Sequence, residues 1–284
     1  MGSRRSKLKD RATALAQENL AIIEAGGYEG ADGWIELGDE FDDAIGDTRL
    51  FQPEQLRSLL RKLSEGPGRG PAAIEVTGET TSAAARRLAL DEGCEDLALL
   101  NFASGRNPGG SFLRGGKAQE EDLARSSALY ACLTGEEATP YYAANRRQDT
   151  LYTDAMIWSP QVPFFRGDQG DLLDEPFFCS IITAPAPNAG AYLGKGGDAS
   201  KVEVVMRRRC GLVLALARAM GARTLILGAW GCGVFRNDPV LVADAFGKWL
   251  EDPRFEGAFD RVVFAVWDPK GAVRQVFTDR LTSD

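Results

Sequence analysis

Two spacings of apolar residues alternate along the chain from residue 72 onward. Short, nearly continuous apolar runs, such as Leu97–Leu100, are typical of strands buried on both faces of a sheet. Between them, apolar residues three or four positions apart predict helices that cover such a sheet. Strands that alternate with helices indicate the α/β fold class. The predicted strands span 72–77, 96–102, 178–183, 224–229 and 261–266, and the predicted helices span 80–92, 117–133, 200–220 and 240–251.

The first 65 residues carry a different, mostly helical pattern. Leu15, Leu20 and Ile23 fall at helical spacing, and a pair of glycines ends this first helix. A short strand is predicted over 34–37, and a helix over 53–63 has proline in its first turn. A further stretch, residues 135–176, has only a weak pattern, and we expect it to be largely irregular.

Composition limits the chemistry that the chain can perform. It contains no histidine, which excludes a Ser-His-Asp triad, a Cys-His dyad, HExxH zinc chemistry and a histidine general base. Its five cysteines form no CxxC pair, which argues against a disulfide framework and a structural zinc site. In an enzyme of this composition, carboxylates, Lys, Tyr or Cys must therefore transfer the protons.

The formal net charge of −8 limits the partners. A broad nucleic-acid surface is not expected, because binding to a phosphate backbone needs a dense basic face. One phosphate group can still be held by backbone N–H groups. The sequence has no apolar run of about 18 residues, as a membrane helix requires, and its basic start lacks the apolar region of a secretory signal. We expect a cytoplasmic, monomeric protein without a membrane partner.

The most informative stretch runs from Asn101 to Tyr130. A buried strand leads into a glycine-rich loop, and the loop leads into a helix. Glycines let the backbone approach a ligand, and a helix N-terminus supplies free N–H groups, so this layout predicts a phosphate or nucleotide site. A Walker A loop is excluded, because Ser111 stands at its first glycine position and Ala118 follows Lys117. The Rossmann GxGxxG pattern is also absent.

Gln119, Glu120 and Glu121 follow this loop directly. Adjacent helical residues point about 100° apart, so we expect the two carboxylates to serve different tasks and not to meet at one atom. On a sugar, one carboxyl would protonate the leaving group and the other would orient hydroxyls. Alternatively, the acids only stabilise the helix dipole, by about 0.3–1 kcal/mol. The helix N-terminus lowers a carboxyl pKa whereas a neighbouring carboxylate raises it, and the sequence leaves this balance open.

A second glycine loop follows the predicted strand 224–229. It contains Gly231-Cys232-Gly233, and Asn237 or Asp238 is expected to cap the next helix. Two such loops would face each other at the carboxyl ends of the strands, where open α/β sheets bind ligands. Cys232 is interpreted as a small space-filling residue, because no histidine could activate its thiol.

The first loop resembles the signature of poly(ADP-ribose) glycohydrolases, which is a triple glycine, a short spacer and Gln-Glu-Glu. Here the signature reads Gly109-Gly110-Ser111, seven residues, then Gln119-Glu120-Glu121, with Ser111 in place of the third glycine. The similarity is to the microbial, bacterial-type family and covers nearly the whole chain. It includes 156–166, 182–188 and 207–221, and residues 5–65 resemble the family's accessory segment.

This resemblance implies a macrodomain-like mixed sheet sandwiched by helices. The chain would comprise an N-terminal helical accessory segment, 1–65, and a catalytic domain, 66–284. It implies a glycohydrolase that cleaves ribose-linked bonds of ADP-ribose conjugates, foremost poly(ADP-ribose), and releases ADP-ribose. Glu121 would be the acid and Glu120 would hold ribose hydroxyls. The resemblance implies no metal and no organic cofactor.

The resemblance also implies how the substrate is bound. Phe235 matches an aromatic residue that packs on the sugar side of the ligand, and Glu79 matches an acidic residue that bonds the adenine amino group. The alternatives are a core aromatic for Phe235 and a helix cap region around Glu79. The predicted substrate-binding residues are Glu79, Asn107, Gly109, Gly110, Ser111, Gln119, Gly231, Cys232, Gly233, Val234 and Phe235.

Two other functions remain open from the sequence. Ser111 and the additional glycine Gly116 also fit a hydrolase of mono-ADP-ribosylated protein or of an ADP-ribosylated nucleobase in DNA. A macrodomain that binds ADP-ribose without cleaving it is the other alternative. Glu120 and Glu121 argue against the latter, because a binding module does not need two acids beside the ribose.

Overall fold

The computed structural model describes residues 2–68 and 70–282, so Met1, Arg69, Ser283 and Asp284 lie outside the description. The strands are β1 Gly27–Gly30, β2 Gly33–Glu36, β3 Arg49–Phe51, β4 Ala73–Thr77, β5 Leu97–Phe102, β6 Met156–Arg166, β7 Leu172–Ala184, β8 Thr224–Leu227 and β9 Arg261–Ala265. The α-helices are α1 Gly2–Ala25, α2 Asp39–Gly46, α3 Pro53–Lys62, α4 Thr81–Arg86, α5 Gln119–Ser126, α6 Leu129–Thr134, α7 Thr139–Arg146, α8 Ala189–Leu193, α9 Ala199–Ala219, α10 Pro239–Leu250 and α11 Ala272–Leu281.

Seven of the described strands form one mixed sheet in the order β3-β6-β7-β5-β8-β9-β4. The strands from β7 to β4 are parallel, and β6 runs antiparallel to both of its neighbours. Alternate residues of β5 pack into different cores, with Leu97 and Leu99 on one face and Ala98 and Leu100 on the other. Helices cover both faces, so the predicted α/β class with a sandwiched mixed sheet is confirmed.

The prediction that 135–176 is largely irregular is wrong. This stretch contains α7, all of β6 and the start of β7. Most of β6 is buried, so it lacks the apolar–polar alternation of a half-exposed strand. Its register shifts between Ser159 and Val162, where Gln161 takes a φ of 40°. Because of its two prolines and this bulge, the strand does not show the alternation of period two that sequence patterns detect.

The predicted helix 117–133 is divided into α5 and α6. Ser127 lies between them with an extended backbone and forms a β-bridge with Phe164. The buried amide of Asn19, on α1, donates to the carbonyls of Arg125 and Ser127 at 3.1 and 3.0 Å. The N-terminal helix thus supplies hydrogen bonds to the backbone where α5 ends.

The segment before residue 66 is joined to the sheet. β3 pairs with β6 at the sheet edge, and α3 packs against α9. Gly26 has a φ of 68° and follows the end of α1, as predicted. The division into segments 1–65 and 66–284 stays a prediction. Among the helices that the structure describes, none combines the length and apolar character that a membrane crossing requires.

Candidate active site

The first glycine loop connects β5 to α5. Gly109 and Gly110 both have φ values of 60°, a left-handed conformation that glycine adopts easily. Ser111 has a φ of −113°, which any residue can adopt. Serine at the third signature position therefore causes no backbone strain. Asn107 is exposed, and its carbonyl accepts the Gly110 N–H at 3.0 Å.

The two glutamate side chains converge on Gly110. A Cβ at this glycine would lie 2.5 Å from Oε1 of Glu121 and 3.0 Å from Oε2 of Glu120. The expectation that adjacent helical carboxylates cannot meet at one point is therefore wrong. Their backbone directions differ by about 100°, but the long side chains bend toward the loop.

Glu121 is held by three hydrogen bonds. Its Oε1 accepts the backbone N–H and the hydroxyl of Ser111, at 2.9 and 3.0 Å, and its Oε2 accepts the Ala118 N–H at 2.6 Å. The last bond satisfies a free donor at the start of α5, as in a capping box. Glu121 is 8% exposed, so its carboxylate is fixed at the loop and largely buried.

Glu120 lies deeper, at 3% exposure. Burial raises the pKa of its carboxyl well above the ordinary 4.5, and the charge of Glu121 raises it further. The Ser104 N–H, which donates to Oε2 at 2.6 Å, acts in the opposite direction. The balance that the sequence leaves open is thus decided for Glu120: burial outweighs hydrogen bonding, and this carboxyl retains its proton to a higher pH.

A proton on Glu120 also suits its neighbours. Oε1 of Glu120 and Oδ1 of nearby Asn101 are buried and have no hydrogen-bond partner among the described residues, whereas hydrogen bonding from the Asn101 side chain and the Gly109 backbone to Glu120 lowers its carboxyl pKa. Two buried acceptors need a donor, and a protonated carboxyl supplies one. Tyr141 and Tyr142 are buried within electrostatic reach of the same carboxyl. Glu120 therefore sits in an enclosed polar group that favours its neutral form.

We expect Glu120→Gln to stabilise the protein increasingly as the pH rises. Below about pH 4.5 the carboxyl is protonated in both the folded and the unfolded chain. Above that pH the unfolded chain loses this proton while the folded protein still holds it. The free energy of unfolding of the wild type therefore falls with rising pH until the pH exceeds the raised pKa of Glu120 in the folded protein. Glutamine has no charge to bury, and a gain of about 1 kcal/mol would raise Tm by about 2–4 °C.

Melting curves of both proteins between pH 4 and 8 measure this effect. Glu36→Gln, at an exposed position of β2, makes the same chemical change without burial and is the control. A Tm difference between Glu120→Gln and wild type that stays constant across this range would contradict the raised pKa.

Gln119 ties the start of α5 to β5. Its Oε1 accepts the Phe102 N–H at 2.8 Å, and its Nε2 donates to the Leu100 carbonyl at 2.8 Å and to Thr81 Oγ1 at 3.2 Å. These bonds give Gln119 a positioning function for the two glutamates. Its predicted contact with the substrate stays a prediction.

The second glycine loop connects β8 to α10, beside the first loop. Gly231 has a φ of 73°, and a Cβ there would lie 2.6 Å from Ala186. Asn237 donates to the Pro187 carbonyl at 2.8 Å, and Asp238 caps α10 by accepting the Val240 N–H. The backbone path of this loop is therefore fixed by glycine and by a buried amide.

The tip of the second loop faces solvent. Gly233 is exposed and Val234 is 80% exposed, whereas Phe235 is half-buried. Burial raises the pKa of the Cys232 thiol to about 12, so this cysteine is not an activated nucleophile. The exposed Gly233 and Val234 leave backbone N–H groups of the loop within reach of a ligand.

Tyr152, which the sequence analysis missed, contacts both loops. Its ring centroid lies 6.0 Å from that of Phe235, and a Cβ at Gly105 would lie 2.7 Å from its ring. Tyr152 has a φ of 61°, and its carbonyl accepts a bond from fully buried Arg209. It lies in the stretch expected to be irregular, so only its aromatic character could have signalled it.

The far end of the site lies at β4 and β9. Nε and Nη2 of Arg87 donate to the two carboxylate oxygens of Glu79, each at 2.9 Å. This hydrogen bonding lowers the pKa of the Glu79 carboxyl. Thr77 at the end of β4 pairs with Ala265 at the end of β9. Glu79 follows Thr77 by two residues, and Trp267 follows Ala265 by two residues. Trp267 is 66% exposed. The sequence analysis did not predict this residue as part of the site, and its only signal in the sequence was an aromatic side chain directly after a predicted buried strand.

The described residues include no group of three or more Cys, Asp or Glu side chains arranged to hold a metal ion. The site combines two glycine loops, two converging carboxyls, and aromatic side chains at both ends. Such an arrangement can bind an extended anionic ligand and transfer a proton to a bond near Gly110.

Comparison with known proteins identifies close relatives. Residues 16–167 match the catalytic domain of microbial-type PARG. The crystal structure of poly(ADP-ribose) glycohydrolase from Thermomonospora curvata is 46% identical, with 95% of this chain and 99% of that chain covered and a TM-score of 0.90. Its complex with the inhibitor ADP-HPD is 45% identical, with the same coverage and a TM-score of 0.86.

The glycohydrolase from Deinococcus radiodurans, in complex with ADP-ribose, is 48% identical, with 87% of this chain and 98% of that chain covered and a TM-score of 0.79. A search of curated proteins found no match.

Proposed function

The chain belongs to the microbial-type poly(ADP-ribose) glycohydrolases, and we propose that it cleaves the ribose–ribose bond of poly(ADP-ribose) at Glu120 and Glu121. It is a hydrolase with the macrodomain-like fold of these enzymes. The observation that carries the site assignment is the convergence of both carboxyls on Gly110, in the loop with the family's signature.

The proposed ligand position follows the strand order. β9 and β4 lie at one end of the sheet, and the glycine loops follow the central strands β8 and β5. The adenine would stack on exposed Trp267 beside Glu79, and the diphosphate would lie between the loops 109–111 and 231–235. The terminal ribose then lies over the two carboxyls, against Phe235.

The proposed reaction is an acid-assisted hydrolysis. Glu121 donates a proton to the leaving ribose oxygen as the bond from C1″ to that oxygen breaks. The carboxyl of Glu120, which retains its proton to a higher pH than usual, can accept hydrogen bonds and, when protonated, donate one, which suits it to hold ribose hydroxyls while positive charge develops on the sugar. Water then adds to C1″ and returns a proton to Glu121, so the products are ADP-ribose and the shortened polymer.

The positions of the two carboxyls divide the tasks between them. In the free protein three donors hold the carboxylate of Glu121 at the loop. Glu121, which faces the loop, is therefore assigned the proton transfer, and the more enclosed Glu120 the orientation of the sugar.

We expect the protein to release ADP-ribose from defined poly(ADP-ribose), measured by chromatography. Calorimetry should give an ADP-ribose Kd in the micromolar range, about −8 kcal/mol. Mono-ADP-ribosylated protein and ADP-ribosylated DNA are assayed in parallel, with the double variant Glu120→Gln/Glu121→Gln as the control. Preferred cleavage of either alternative conjugate, or binding without any cleavage, would contradict the proposed function.

We further propose a cytoplasmic monomer. The five cysteines, all within the described residues, are free thiols, as is usual in a reducing compartment. We also propose that residues 1–65 form an accessory segment that supports α5 through Asn19, beside a catalytic domain 66–284.

We expect Ser111→Gly to raise polymer turnover about fivefold, the equivalent of one hydrogen bond of about 1 kcal/mol. The Ser111 hydroxyl donates to Oε1 of Glu121, and this bond must be given up when the carboxyl turns to the leaving oxygen. Initial rates on polymer measure the effect. Ser111→Ala, which removes the hydroxyl but keeps Cβ, must behave alike, and unchanged rates in both variants would contradict this function of Ser111.

A further inference from the structure

Two exposed arginines lie at the first glycine loop, one within it and one beside it. Arg106 directly precedes Asn107, and its guanidinium carbon lies 6.0 Å from the ring centroid of Tyr152. Arg146 ends α7, and its Nε donates to the Arg106 carbonyl at 3.0 Å. Neither forms an ion pair with any residue that the structure describes. These two residues are called the arginine pair. In a chain with a net charge of −8, they place positive charge at the loop that no acidic side chain of the described residues neutralises through an ion pair.

The arginine pair lies at the ribose end of the cleft. Tyr152 precedes β6, and the start of β6 pairs with the end of β7. Tyr152 therefore lies on the side of the glycine loops that faces away from β9 and β4. Tyr142 is within electrostatic reach of both Arg146 and Glu120. The arginine pair thus lies beside the loop that carries the two carboxyls, at the side of the site away from Trp267.

The backbone around Arg106 is held in place. The ring of Tyr152 occupies the space where a side chain at position 105 would begin, and it supports the guanidinium of Arg106. Asp149 is an acidic residue close by, but its Oδ1 accepts the Leu151 N–H at 2.8 Å within its own turn. Because Arg106 is supported in advance, less side-chain entropy is lost when it binds a ligand.

We propose that the arginine pair forms a subsite for the pyrophosphate of the leaving ADP-ribose unit. This inference rests on the proposed function, in which the polymer continues past the cleaved ribose–ribose bond. The leaving unit carries its pyrophosphate one ribose away from that bond, on the side opposite the bound adenine. Guanidinium groups match phosphate oxygens in geometry and charge. The subsite would therefore select a polymer over a conjugate whose leaving group is neutral.

The test compares two substrates. One is poly(ADP-ribose), and the other is an ADP-ribose with a neutral phenol on C1″, which lacks the second pyrophosphate. We expect Arg106→Gln and Arg146→Gln each to lower kcat/KM for the polymer about tenfold, or about 1.4 kcal/mol, and to change that for the phenol substrate less than twofold. The dependence of polymer cleavage on salt concentration should also weaken. Arg106→Lys, which keeps the charge, should retain part of the preference.

Arg61→Gln is the matched control. Arg61 is exposed on α3, and the next residues after this helix lie near Arg218, at the amino ends of the strands. Equal losses on both substrates would overturn the proposal, because the arginines would then act on the bound unit. Unchanged polymer cleavage would overturn it as well.

A binding measurement separates this inference from the proposed function. Calorimetry in the Glu121→Gln background compares a two-unit polymer with ADP-ribose. We expect Arg106→Gln to weaken binding of the two-unit polymer about tenfold and that of ADP-ribose less than twofold. Absence of turnover in the wild type would contradict the proposed function alone, whereas equal effects on both ligands would refute the subsite.

Discussion

Glu121→Gln is expected to lower the turnover of poly(ADP-ribose) by about 10²–10⁴-fold, the usual contribution of general acid catalysis. Glutamine has the size of glutamate, and its one oxygen can accept either the Ser111 or the Ala118 N–H that Glu121 accepts. It cannot donate the acidic proton to the leaving oxygen. Because that proton acts in the transition state, ADP-ribose binding should change by less than about threefold.

Single-turnover rates, calorimetry and melting curves together test this expectation. Glu36→Gln, at an exposed position of β2, makes the same substitution away from the cleft and should leave all three unchanged. Near-normal turnover in folded Glu121→Gln would show that another group supplies the proton. The raised pKa of Glu120 would make Glu120 the next candidate.

The central strands and both loops could be predicted from the sequence. β5, β8 and β9 are parallel strands buried on both faces, and such strands leave continuous apolar runs. Glycines at 109, 110 and 231 take positive φ values, so their positions in the sequence report a real backbone requirement. Apolar runs and glycine positions report the local backbone, so they can be recognised in the sequence without knowledge of the rest of the fold.

The features that the sequence could not predict depend on distant contacts. β6 is a strand because it lies between β3 and β7, although its prolines and bulge break the pattern. Tyr152 becomes part of the site only through that strand. Trp267 and Glu79 are almost 190 positions apart, and each follows by two residues the end of one of the paired strands β4 and β9. The convergence of the two glutamates depends on side-chain torsions, which helical periodicity does not determine.

Gly110→Ala is expected to lower polymer turnover by about 10²-fold, the loss typical of a reacting group displaced by about 1 Å. The new Cβ would lie 2.5 Å from Oε1 of Glu121 and 3.0 Å from Oε2 of Glu120, so both carboxyls must move. Alanine also disfavours the φ of 60° at this position, at a cost of about 1–2 kcal/mol. Turnover on polymer and a melting curve measure the two effects separately.

Gly93→Ala distinguishes backbone strain from displacement of the carboxyls. Gly93 has a φ of 66°, and a Cβ there would have no atom within 4 Å. This control should lose stability of similar size, with a Tm lower by about 2–4 °C per kcal/mol, and should keep normal turnover. If Gly110→Ala lost only stability and retained turnover, the position of the two carboxyls at Gly110 could not be what catalysis requires. A loss of turnover confined to Gly110→Ala would tie the reaction to that position, because the two variants share the strain and differ in what the methyl group displaces.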